Sequence, residues 1–275
     1  MRALLASPLG FLIGLSLGAL GGGGSILAVP ALVYAAGQDP KAATTTSLFL
    51  VGSAALVGMA GHWQANRVRV GTGLMFGAIG IFGSLAGSAL NHRMDPDALL
   101  LGFSVLVVIA AWRMLTACPT CTKVGEAAAM AGFDANQAEH DHADQVHSGV
   151  DMVRIAKIVA AGTVVGFLTG LFGVGGGFVI VPALALILEL PMPDAIGTSL
   201  LVIAINSGVA LSTRIATTTI DWEVTVPFTV AAILGVTTGS KLADRLHPEK
   251  SLRWFAALLV AVAAYTAVRA VMGLV

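Results

Sequence analysis

The sequence predicts an all-α integral membrane protein built from two homologous, inverted repeats of about five hydrophobic segments each, with glycine-broken helices meeting near the midplane. Three observations carry this. First, 56% of the 275 residues are hydrophobic and only 11% are charged, with mean hydropathy +0.88. Soluble domains carry roughly 25% charged residues. Second, Ala3 to Gln38 is a run of 36 residues without Asp, Glu, Lys or Arg, interrupted by Gly21 to Gly24. One straight helix of that length would reach roughly 54 Å, against a hydrocarbon core of about 30 Å. Each glycine costs about 1 kcal/mol inside a helix, so four in a row end one helix and start another. Third, the pattern returns after 152 residues. Gly21, Gly23, Gly24 and Pro30 fall on Gly173, Gly175, Gly176 and Pro182; Thr46-Ser47-Leu48 falls on Thr198-Ser199-Leu200. Gly14, Gly18, Gly83 and Gly87 fall on Gly166, Gly170, Gly235 and Gly239, while Arg93 and Pro96 fall on Arg245 and Pro248. Paired, glycine-broken apolar segments in matched halves point to a transporter's binding site.

The first repeat, 1–117, holds apolar segments at about 5–20, 24–36, 42–60, 71–91 and 97–117. The second, 153–275, holds them at about 155–172, 176–189, 195–213, 223–243 and 249–271. Met1-Arg2 before an apolar run resembles a signal peptide, but its counterpart lies mid-chain, so it is read as a helix. Gln38-Asp39-Pro40-Lys41 and Pro191-Met192-Pro193-Asp194 separate the second and third segments, and Asp95-Pro96 and Pro248-Glu249 open the fifth. Small residues four apart, such as Gly14/Gly18 and Gly235/Gly239, are read first as close helix packing. Trp63, Trp112, Trp222 and Trp254 stand at segment ends, where an interfacial aromatic belt would put them.

Between the repeats, 118–152 is a polar, His-rich linker with Cys118, Cys121, His140, His142 and His147. Its irregular spacing reads as a solvated connector; the alternative is a metal-binding segment. Charge orients the halves. The loop 61–70 carries Arg67 and Arg69 with no acid, whereas its counterpart sets Arg214 against Asp221 and Glu223. The loop near 91–97 sets Arg93 against two acids, whereas 241–253 carries Lys241, Arg245, Lys250 and Arg253. The positive-inside rule then places 61–70, 241–253 and the linker in the cytoplasm and both termini outside, which inverts the halves.

Helix starts carry unpaired N–H groups and about half a positive charge, and glycine lets a ligand approach them. Gly23, Gly24 and Ser25 in one half, and Gly175, Gly176 and Gly177 in the other, would face each other and hold a small anion. Thr45, Thr46, Ser47, Thr198 and Ser199 would add hydroxyl donors; helix capping and interhelical hydrogen bonding are the alternative. Asn206 sits mid-segment as a donor or as helix glue, and Arg214 would meet the anion's charge or snorkel to headgroups.

The duplicated pattern of a glycine-rich break ahead of a proline (Gly21 to Pro30, Gly173 to Pro182) and then Thr-Ser-Leu (46–48, 198–200) resembles the sulfite exporter TauE/SafE family, also called the 4-toluene sulfonate uptake permease family. The resemblance covers all but the linker. It implies a secondary permease of the bacterial inner membrane that moves sulfite, a sulfonate, sulfoacetate or a similar small sulfur-containing anion. Asp221-Trp222 is similar to the family's usual loop, while the first repeat has Arg69-Val70 there.

Two other classes compete. An intramembrane enzyme finds no Gly-x-Gly-Asp run, no His-Glu-x-x-His and no Ser/His dyad, so no catalytic residue is assigned. A metal-handling membrane protein rests only on the linker histidines. The expected partners are a small anion and the lipid bilayer; a homodimer is allowed, and no nucleic acid, cofactor or bound metal is expected.

Overall fold

A computed structural model describes residues 2–34, 36–91, 152–172, 177–214 and 221–243, with isolated helical positions within 102–112 and 257–264. The described part is all helical, with eight helices longer than nine residues: α1 Arg2–Leu20, α2 Gly23–Tyr34, α3 Pro40–Gln64, α4 Val70–Asn91, α5 Met152–Phe172, α6 Gly177–Leu186, α7 Met192–Arg214 and α8 Trp222–Ala243. Four of them, α3, α4, α7 and α8, contain spans of 21 or 23 residues that are apolar and long enough to cross a membrane. The linker and most of the two fifth segments, 97–117 and 249–271, lie outside the described residues.

The glycine break forms as expected. Gly21 has φ +77°, a value that a side chain disfavours, and its N–H closes α1 on the Leu17 carbonyl at 2.8 Å. The helix beyond each break is too short to span. With 12 residues α2 reaches only about 18 Å, and with 10 residues α6 reaches about 15 Å. Both short helices end in the same cap, displaced by 152 residues. Gln38 and Ala36 donate to Leu32 and Ala31; Leu190 and Leu188 donate to Leu184 and Ala183. The left-handed residue of that cap is Gly37 in the first case and Glu189, φ +57°, in the second. Asn66, φ +54°, ends α3 in a related way, with Arg67 N–H on the His62 carbonyl at 3.0 Å.

Small residues set the packing, and two seams of tight pairs join the two halves. A Cβ on Gly14 or Gly18 would strike the carbonyl oxygen of Ala232 or Val236, and one on Gly235 or Gly239 would strike that of Phe11 or Leu15. These contacts run α1 parallel to α8. Gly166, Gly170, Gly83 and Gly87 meet the carbonyls of Gly80, Ser84, Thr163 and Phe167, so α5 runs parallel to α4. Every one of these contacts maps onto its partner contact by adding or subtracting 152. At the centre, α3 crosses α7 in the opposite sense: Gly52 lies against Ser207, Gly58 against Leu200, and His62 against Gly197. Phe76, Phe228, Leu17, Leu32, Leu50, Leu184 and Leu200 fill the space between.

Candidate functional site

The first break meets the start of α6. A Cβ on Gly177, the first residue of α6, would lie 2.6 Å from Ser25 Oγ and 3.2 Å from the Gly22 carbonyl oxygen. Ser25 Oγ donates to that carbonyl at 2.8 Å and points back into the break. Beside this junction lies a cavity of about 250 Å³. Its polar wall comes from Ser25 of α2, Thr44 and Ser47 of α3, Ser84 and Ser88 of α4, Thr169 of α5, and Asn206 and Ser207 of α7. Val29, Leu48 and Val51 supply apolar surface, and among the described residues none that lines the cavity carries a formal charge. It lies in the half of α4 away from the Arg67–Arg69 turn, since Ser84 and Ser88 follow Val70 by 14 and 18 residues.

The sequence-predicted residues divide. Ser25, Ser47 and Asn206 come together in the cavity wall. Ser47 Oγ donates to the Thr44 carbonyl at 2.8 Å, and Asn206 Oδ1 is buried with no hydrogen-bond partner. Gly23 opens α2. Gly24 turns towards α1, where a Cβ would strike the Ile13 carbonyl oxygen, so its missing side chain serves helix packing. Thr45, Thr46, Thr198 and Ser199 are buried and do not line the cavity. Thr198 Oγ1 instead accepts the Arg69 N–H at 3.1 Å, while Arg69 Nε bonds Asp194 Oδ2 at 2.9 Å, fastening the turn between α3 and α4 to α7. Ser199 Oγ donates to the Ile196 carbonyl at 2.7 Å and to the Gly21 carbonyl at 3.2 Å, which stitches α7 to the first break. Thr46 Oγ1 is buried without a partner. Gly175 and Gly176 lie outside the described residues, and so does the side chain of Arg214, whose backbone ends α7.

Sequence reasoning did not single out Ser84, Ser88, Thr169 or Ser207. The available signal was the spacing of Ser84 and Ser88, four residues apart on one face of an otherwise apolar helix. The Asn206 amide can donate to an anion directly, and the Ser25, Ser47 and Thr169 hydroxyls can do so by rotating away from the Gly22, Thr44 and Val165 carbonyls to which they donate, all without the cost of placing a formal charge in the membrane. A space of this size is below the several hundred Å³ of drug-sized pockets and suits a small ligand.

Comparison with known proteins agrees with this architecture. Residues 6–266 match the family model described as Sulfite exporter TauE/SafE. A "Probable membrane transporter protein" of Xylella fastidiosa is 33% identical over 259 residues, covering 93% of this chain and 91% of its own. The "Probable membrane transporter protein YunE" of Bacillus subtilis is 27% identical, with 89% and 85% covered. A protein of similar description from Methanocaldococcus jannaschii is 24% identical, with 90% and 89% covered. No solved structure matches. The chain is a multi-pass membrane protein and belongs to the sulfite exporter TauE/SafE family.

Proposed function

We propose that this transporter-family chain is a secondary permease for a small sulfur-containing anion, such as sulfite, a sulfonate or sulfoacetate, held in the cavity beside the two helix breaks. The observation that carries the reading is the cavity wall itself: hydroxyls of Ser25, Ser47, Ser84 and Thr169 and the Asn206 amide surround a space whose described lining carries no formal charge. In this reading the start of α2 adds its N–H dipole through Gly23 to Ser25, about half a charge, which replaces a buried cation. Gly177 matters by letting α6 reach Ser25. Thr198 and Ser199 act indirectly, by fixing α7. The metal-handling alternative has no observation in its favour beyond the linker histidines.

The halves are inverted in this proposal, and the antiparallel crossing of α3 and α7, which occupy equivalent places 152 residues apart, supports that arrangement. With Arg67 and Arg69 cytoplasmic, the cavity opens outward.

Isothermal titration of the purified protein with sulfite, methanesulfonate, sulfoacetate, sulfate and acetate tests the reading. The sulfur anions of low charge should bind, and Ser47→Ala should weaken them roughly fivefold, the value of one hydrogen bond of about 1 kcal/mol. Asn206→Leu should weaken them further. Unchanged affinity in both variants would place the anion elsewhere.

A further inference from the structure

Most of the polar cavity wall is not repeated in the other half. Shifting its wall by 152 residues gives the equivalent positions on the other side of the central α3–α7 crossing. Ser84 becomes Val236, Thr169 becomes Leu17, Asn206 and Ser207 become Ala54 and Ala55, and Thr44 becomes Ile196. Hydroxyl and amide groups are replaced by hydrocarbon at each of these five places, and Ser25 by Gly177, while Ser47 and Ser88 keep their hydroxyls as Ser199 and Ser240. Burial changes with chemistry: Val236, Leu17, Ala54 and Ala55 are 0% exposed and Ile196 is 3% exposed.

Contact is direct on that side. Leu48, Ser84 and Ala210 line the cavity, whereas their counterparts Leu200 and Val236 both pack over Gly58. A Cβ on Gly58 would come within 2.9 Å of Val236 Cγ2 and 3.2 Å of Leu200 Cδ1. Gly58 is six residues from the end of α3, so this contact lies towards the Arg67–Arg69 turn, opposite the cavity.

We propose that Gly58, Leu200 and Val236, backed by Leu17, form a dry seal that closes the path from the cavity to the Arg67–Arg69 face, and that the seal must part for an anion to cross. The proposal rests on the transport reading for its purpose, but its geometry can be tested without a transported substrate. Because the seal is apolar while the cavity wall is polar, the two faces are chemically unequal. The closed seal excludes water, and parting it exposes the hydrocarbon of Leu200, Val236 and Leu17. The protein therefore rests with the cavity open and the seal shut.

The test uses the full-length chain in sealed vesicles of known orientation, with Cys118 and Cys121 replaced by alanine and a membrane-impermeant thiol reagent. Ser84→Cys should react from the face opposite the Arg67–Arg69 turn. Val236→Cys should react only from the face of that turn, and at least about tenfold more slowly, since it is reached only in a minor conformer populated on the order of 0.1–10%. Equal rates, or reaction of both from one face, would overturn the seal. A second arm gives Val236 and Leu17 the residues of their counterparts, Val236→Ser with Leu17→Thr. Vesicles with this variant should leak methanesulfonate down its gradient faster than the parent; a rate no higher in folded variant protein would count against the seal. If the parent carries none of the anions while the two cysteines keep their unequal reactivity, the transport reading fails and the seal stands.

Discussion

Replacing Gly14 by alanine should test the close seam between the halves, because its cost can be worked from the contact. The new Cβ would strike the Ala232 carbonyl oxygen and lie 2.7 Å from its carbon and 2.8 Å from its Cα. All three are backbone atoms, so no rotamer change relieves them. Reaching an ordinary separation of 3.4 Å from the carbonyl carbon alone needs about 0.7 Å of movement between α1 and α8 (3.4 minus 2.7), and the nearer oxygen needs more. Overpacking of this kind costs about 1–3 kcal/mol. The gap also forfeits roughly a quarter to a half of each neighbouring contact, those at Gly18, Gly235 and Gly239 among them. Alanine returns about 1 kcal/mol of helix propensity. The expected net loss is therefore about 2 kcal/mol, or a fall in Tm of roughly 4–8 °C at about 2–4 °C per kcal/mol. Thermal unfolding of the purified protein in detergent measures it. Gly208→Ala is the control, since a Cβ there meets nothing within 4 Å and should hold or raise Tm. A Gly14→Ala protein as stable as the parent would refute the backbone-contact argument.

Other contacts give three further expected outcomes. Thr198→Val should lower stability by about 1 kcal/mol, because it removes the acceptor of the Arg69 N–H, while its counterpart Thr46→Val should cost nothing or stabilise, since Thr46 Oγ1 is buried unpaired; paired melting curves check the contrast. Glu189→Gly should stabilise by about 1 kcal/mol through relief of the left-handed backbone, less the small value of its exposed ion pair with Lys157, and denaturation of that variant beside the parent reads the sign. Arg67→Cys and His247→Cys, labelled separately from each side, should both react from the cytoplasm; reaction from opposite sides would sink the inversion, and reaction of both from outside would sink the orientation.

Much of the fold was legible because periodicity and glycine spacing are local. The break at Gly21, the boundaries of α3, α4, α7 and α8, and the small-residue faces of α1 and α8 could all be read from one dimension. The site was legible only in part. A glycine at a helix start fits a ligand and a neighbouring backbone equally well, and only the position of α1 shows that Gly24 faces Ile13. Likewise the hydroxyls of Thr198 and Ser199 find partners 129 and 178 residues away, which no local pattern could reveal. Ser84 and Thr169 could have been found by asking where the two repeats disagree. Against Val236 and Leu17 their polarity stands out, whereas within their own helices they resemble ordinary membrane serines and threonines.

The pairing of α1 with α8 has a consequence for how the chain is made. Gly14 and Ala232 are 218 residues apart, so α1 docks on a helix made long after it (232 minus 14). At about 5–20 residues per second, α1 waits roughly 10–40 s in the bilayer with its glycine groove facing lipid. During that interval α4 and α5 can already close, because α5 is complete before α8 has begun. Assembly is thus ordered by synthesis: the second seam can shut first, and the first seam shuts only after α8 has been made. A nascent chain stalled before Trp222 would carry an α1 without its partner, which gives the cell's membrane quality control a ready mark of an incomplete product.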